Sequence, residues 1–224
     1  MNFRFFKKSK YTFFFLITFT IVCLPFYYFL VRTDYKLPIY NPADVNPKLV
    51  DKSIRMFTKN HTIADFELTN QNGKTITQKD YEGKIYVADF FFVTCKGICI
   101  PMSNNMKELQ KKFEKDDDIM FLSHSVIPEM DSVPVLRDYA TRKGIIDGKW
   151  NVTTGSKKHI YELARKSYFA VLDEGDGGLQ DFIHTENFIL IDKDKRIRGM
   201  YDGTKFENVE KIVKDIELLK EEYE

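Results

Sequence analysis

From Ile63 onward, apolar and polar positions follow two periods in turn, one suited to strands and one to helices. Ala64–Leu68 (ADFEL) alternates apolar and polar, Asn72-Gly73 follows, and Lys74–Thr77 comes next, which predicts a β-hairpin. Ile85–Val93 (IYVADFFFV) is a nearly continuous apolar run rich in β-formers, as expected of a strand covered on both faces. Met102, Met106, Leu109 and Phe113 then recur at helical spacing behind Pro101, which suits a first turn. Ile119–Val126 (IMFLSHSV) predicts the next strand. Asp131-Ser132-Val133-Pro134 predicts a helix opening on a capping residue and an early proline, and ending near Gly144. A further helix fits Ser156–Lys166, and Phe188–Asp192 and Arg196–Tyr201 read as a hairpin around Lys193-Asp194-Lys195. In Glu207–Tyr223, the residues Val209, Ile212, Val213, Ile216 and Leu219 form one stripe of an amphipathic helix. This order implies an α/β fold, a mixed sheet between helices. Periodicity alone goes no further than that class.

Ahead of this domain the pattern changes. Tyr11–Val31 contains no charged side chain, and about twenty residues are what a helix needs to cross a hydrocarbon core ~30 Å thick. Pro25 lies inside the run, which a membrane span tolerates. Arg4, Lys7, Lys8 and Lys10 precede it, whereas Arg32, Asp34 and Lys36 behind it are mixed in sign. The positive-inside rule therefore keeps the N-terminus in the cytoplasm and sends the domain across, into the periplasm if the cell is bacterial. A cleaved signal peptide would end in a small-residue A-x-A site. None lies near Val31, and Cys23 lacks the small preceding residue of a lipoprotein signal. The expected organisation is a cytoplasmic N-terminus (1–10), a transmembrane anchor (11–31), a polar linker with Pro38, Pro42 and Pro47 (32–60), and one domain (61–224).

Composition adds little to this picture. A formal net charge of +1 gives no electrostatic case for nucleic acid. The three cysteines matter more. Cys23 lies in the span, where it reads as a small apolar filler. Cys95 and Cys99 fall where the buried strand gives way to a helix. In an oxidising compartment such a pair is a disulfide, a metal site, or both by turns. Helix N–H groups and the Lys96 charge favour a thiolate there. Residues four apart on a helix share a face, and the pair can also close as a disulfide if Cys95 sits just before the helix. Two thiolates and an imidazole suit copper, and also zinc. A structural disulfide or inert thiols remain the plain alternative.

Four histidines compete for the third position. His61 and His159 read as surface or capping residues, and His124 as a satisfied core residue within a strand. His184, in a loop ahead of the Phe188 strand, comes first and His124 next. Met102 and Met106 are soft donors, yet their helical stripe favours core packing. Asp173–Gly178 (DEGDGG) has neither the spacing nor the closing glutamate of a calcium loop and reads as solvated.

Three separated stretches carry a resemblance. FFFVTCKGICIPMSNNMKELQKKF is similar to the Sco/SenC family signature, in which a strand runs into T-x-C-x-x-x-C-P and a helix. SHSVIPEMDSVPVLRDYATRKG resembles its S-V-D-P-x-x-D segment, with Trp150 where a tryptophan usually follows. IHTENFILIDKDKRIRGMYDG resembles its D-H-S-x-x-x-x-L-I-D segment, with His184 at the ligand position. Departures are Lys96 and Ile100 at frequent proline positions, Ile127 at a common aspartate, and Ile183 before the histidine. None removes a ligand.

The resemblance implies a thioredoxin-like fold and a copper ion, Cu(I) or Cu(II), held by Cys95, Cys99 and His184. It also implies a role in delivering copper to the binuclear copper site of cytochrome c oxidase. The partner would be the copper-receiving subunit of that oxidase or another cuproprotein, and the protein a metallochaperone rather than an enzyme with turnover. The alternative is a thiol–disulfide oxidoreductase that uses Cys95 and Cys99 to reduce a client's cysteines. A thiol peroxidase is weaker, because Phe92 and Lys96 stand where its signature needs a hydroxyl.

Overall fold

A computed structural model describes residues 3–31, 36–171, 183 and 185–224. The chain forms two compact units, Met1–Lys36 and Leu37–Glu224. The first contains helix α1 (Phe3–Val31), with Pro25 inside it. Its side chains are described over 12–27, part of the uncharged run 11–31. Among the described residues, no helix is long and apolar enough to cross a membrane.

The second unit is built on a seven-stranded sheet in the order β2-β1-β5-β4-β3-β6-β7. These strands are β1 (Glu67–Asn70), β2 (Thr75–Thr77), β3 (Ile85–Phe91), β4 (Ile119–Ser125), β5 (Trp150–Thr154), β6 (Asn187–Ile191) and β7 (Ile197–Asp202). β3, β4 and β5 run parallel, β6 is antiparallel to β3, and β7 to β6. The hairpin β1–β2 turns through Asn72 and Gly73, whose φ of +73° is the left-handed backbone that glycine adopts without strain. Its β1 pairs antiparallel with β5 at the other end of the parallel trio. This is the α/β, thioredoxin-like arrangement expected from the sequence.

Every residue of β3 is buried, so its two faces feed two cores. Ile85, Val87 and Phe91 meet α2 (Cys99–Lys112), α3 (Val133–Lys143) and α5 (Glu207–Glu222). Tyr86, Ala88 and Phe90 meet the layer containing α4 (Lys157–Glu162). The buried stripe of α2 is Cys99, Met102, Met106 and Leu109, which puts both methionines in the core. α3 stops at Gly144, φ +72°, in the left-handed cap expected there.

The structure departs from the sequence reading at particular places. β5 is a strand that the pattern does not reveal, because its Asn151 and Thr153 are buried polar residues. Their side chains donate instead to Tyr81 Oη (2.9 Å) and to the Ser123 carbonyl (3.1 Å). The first hairpin strand lies at 67–70 rather than 64–68. The helix expected over 156–166 passes into a π-helical turn at Leu163–Ser167.

From Leu37 the chain is fastened to the domain. Leu37 N donates to Glu222 Oε1 (2.9 Å), and Arg198 Nη2 donates to Leu37 O (2.7 Å). Tyr40 forms a bridge to Ile197.

Candidate metal centre

Parallel β3 and β4 end on the same edge of the sheet, and the cysteine loop leaves from there. Phe91 O accepts the Val126 amide (2.9 Å), and Cys95 N donates to Phe92 O (3.2 Å), turning the chain sharply after the strand. Cys95 lies in this loop and Cys99 is the first residue of α2, so the pair spans the approach to the helix rather than two turns within it. Pro101 is tolerated because the first turn needs no N–H from it.

Asp131 holds the loop. The cap position of α3 falls to Ser132, the next residue. Asp131 is fully buried, and its Oδ2 accepts from Val93 N (3.1 Å) and Ser125 Oγ (2.6 Å), tying the loop to the end of β4. Burial pushes its carboxyl up, against those two hydrogen bonds.

Cys95 and Cys99 are both free thiols, Cys95 partly exposed and Cys99 8% exposed. They open on one cavity of about 260 Å³, whose described walls are completed by Phe92, Val93, Ile100, Tyr139, Arg142 and Lys143. No carboxylate is among these residues. Among the described walls hard cations find no oxygen cage, whereas two sulfurs suit a soft metal. Burial pushes the Cys99 thiol up to about 12, the neighbouring Cys95 and Asp89 add to the shift, and a hydrogen bond with the Phe92 backbone lowers it. This burial opposes the thiolate that the helix N-terminus favours.

Beneath the site, Asp89 interrupts the apolar face of β3. It accepts from Ser123 Oγ, which in turn accepts from Trp150 Nε1 (2.8 Å). Burial pushes Asp89 up to about 7. A lone carboxylate in an otherwise apolar run was the available signal, and the tryptophan that bonds to its partner lies far away in sequence.

The histidines separate by position. His124 is fully buried among Phe66, Phe90 and Tyr168, with Nδ1 3.2 Å from Thr153 Oγ1. Burial takes it down to about 3, so it stays neutral in the core on the far face of the sheet from Cys99. His61 Nε2 lies 2.8 Å from Ser167 O, and its ring packs on Phe169. His159 N reaches Ser156 Oγ at the start of α4. His184 and the Asp173–Gly178 loop lie outside the described residues. Among the described residues, no three His, Cys, Asp or Glu side chains converge to hold a metal.

The SCO1/SenC family model matches residues 55–221. The chain is 32% identical over 159 residues to a SCO1 protein homologue of Bacillus subtilis, across 70% of this chain and 82% of that protein. It is similar to the solved structure of BsSco, described as a member of the Sco family of cytochrome c oxidase assembly proteins with a disulfide switch. That match has TM-score 0.61 and 31% identity, over 70% of this chain and 92% of BsSco. Arabidopsis thaliana ScoI, solved with copper bound, shares the fold at TM-score 0.55 and 23% identity, over 69% of this chain and 97% of its own.

Proposed function

This chain belongs to the SCO1/SenC family, and we propose that it is a membrane-anchored copper-binding assembly factor for the binuclear copper site of cytochrome c oxidase. Copper is its cargo, held by Cys95, Cys99 and His184. The observation that carries this reading is the pair of thiols opening on one cavity with no carboxylate among its described walls. Copper-bound ScoI of the same fold and the assembly role of BsSco support it. Dithiol exchange is the weaker reading. It has no need of an imidazole, so copper binding that requires His184 separates the two readings. The uncharged run 11–31 is the anchor, with the domain on the extracytoplasmic side.

The test is an anaerobic copper titration of the reduced full chain beside Cys99→Ser and His184→Ala. One-to-one binding is expected, with affinity falling at least tenfold in each variant, more than 1.4 kcal/mol. Binding indifferent to both substitutions would sink the three-ligand reading. The anchor is checked separately: the chain should stay in the membrane fraction through alkaline extraction, and release by that wash would contradict it.

A further inference from the structure

Two cations share one edge of the thiol cavity. Tyr139, 5% exposed, forms a wall of that cavity and packs on Phe91 with the ring centres 5.1 Å apart. The Arg142 guanidinium and the Lys143 ammonium each stand 5.9 Å from the centre of the Tyr139 ring, and both residues line the cavity with Cys95 and Cys99. A third cation comes from α2. The Lys107 ammonium lies over Gly144, 3.2 Å from where a Cβ would stand on it. Lys96, exposed between the two cysteines, adds a fourth. Burial and the Arg142 charge push the Lys143 ammonium below its ordinary range, Cys99 opposes them, and Lys107 adds to the push.

Negative charge nearby does not balance this gathering. Arg142 pairs with Asp138 at 2.8 Å, both side chains exposed, and among the described residues no carboxylate pairs with Lys107 or Lys143. The whole chain is nearly neutral, with 34 basic and 33 acidic side chains, so the edge is a local excess and not the sign of the molecule. Lys107 is outside the described cavity walls, so the cationic edge runs past the space that a small molecule would fill. Ile100, 46% exposed next to Cys99, gives the same edge an apolar point of contact.

We propose that this edge is the docking surface for the protein that receives the copper, and that the recipient presents its cysteines there among aspartates or glutamates. The inference rests on the copper-delivery reading and adds the charge of the recipient. A recipient that takes Cu(I) from two thiolates must bring soft donors of its own. Copper keeps its oxidation state in the exchange. Two incoming thiols bind the ion and release two protons, while Cys95 and Cys99 leave it and take up two. Opposite charge steers the segment to the thiols and fixes its register there.

Two synthetic dithiol peptides are the probes, one with its cysteines set among aspartates and one with them among lysines. Copper(I) transfer from the loaded, reduced full chain is timed at low and high salt. The reduced, copper-free chain is timed separately against the disulfide forms of the same peptides. In that reaction one chain thiolate opens the peptide disulfide, and the other chain sulfur closes on the mixed disulfide and releases the peptide as a dithiol. We expect the acidic peptide to react about tenfold faster than the basic one at low salt in both reactions, with the ratio falling toward one at high salt. Lys107→Glu with Lys143→Glu should erase the preference. Lys52→Glu with Lys158→Glu, the same change of net charge at exposed positions beside the opposite core, should keep it. If the first pair does not fold, Lys107→Gln with Lys143→Gln should reduce the preference. Equal rates for the two peptides overturn the inference while copper delivery stands. A preference that both pairs of substitutions abolish alike, or one seen only with copper bound, also overturns it. If the chain takes up no copper, the delivery reading fails and the inference falls with it.

Discussion

Arg198→Ala is expected to destabilise the domain by about 3–5 kcal/mol, the cost of removing one partner from a buried ion pair. Arg198 is 2% exposed and sits between the buried Asp192 (2.9 Å) and the partly buried Glu222 (2.7 Å). It also donates to the Leu37 carbonyl (2.7 Å) and the Pro38 carbonyl (3.2 Å). Alanine would leave Glu222 without this cation, take one of two cations from Asp192, and remove the contacts that hold the segment beginning at Leu37. Arg196, which also reaches Asp192 (2.9 Å), compensates one carboxylate but not Glu222. Urea unfolding of the full chain measures the effect. Adding Asp192→Asn and Glu222→Gln to Arg198→Ala should recover part of the loss, because uncharged partners no longer need the cation. A loss below about 1 kcal/mol, the range of an exposed pair, would contradict this assignment.

The second large effect depends on pH. Burial raises the Asp89 carboxyl from 3.8 to about 7 in the folded chain. A carboxyl whose pKa is higher folded than unfolded favours the folded state fully below about pH 4, and that advantage is lost as pH rises through 7. The difference of about 3 units corresponds to about 4 kcal/mol as an upper bound. Asp89→Asn keeps an acceptor for Ser123 Oγ and removes the titration. Relative to the unaltered chain, Asp89→Asn should gain stability as pH rises from 4 to 8, and at pH 8 it should be the more stable of the two. Parallel pH profiles for the two proteins would refute the assignment. Copper-free protein is used, so metal loading does not enter the comparison.

These two residues mark the limit of what the amino-acid pattern discloses. β3 and α5 were legible because their burial is written in apolar periodicity, continuous in one and at helical spacing in the other. β5 was not, since its inward polar residues are satisfied by Tyr81 and Ser123, distant partners that no local window contains. Arg198 looked like one more charge on a hairpin, and its burial follows only once the C-terminal helix brings Glu222 against β7.

The site divides in the same way. The spacing and placement of Cys95 and Cys99 marked a pair fit for a disulfide or a soft metal, and the structure opens both on one cavity. The burial that opposes a Cys99 thiolate was not legible, because it depends on Tyr139 and α3 standing beside the first turn of α2. The residues alone left His184 and His124 both open, and only the family resemblance separated them. The far-face burial of His124 now removes it on physical grounds. Asp131 could be seen as a polar residue ahead of a helix, but its bond to Val93 N is purely tertiary.

The central claim is that one copper ion is held by two sulfurs and one imidazole. X-ray absorption at the copper edge of the reduced, copper-loaded full chain tests it most directly. The account predicts two sulfur neighbours near 2.3 Å, by analogy with thiolate distances at zinc, together with imidazole scattering that disappears in His184→Ala. A sulfur-only shell, unchanged by that substitution, would contradict it.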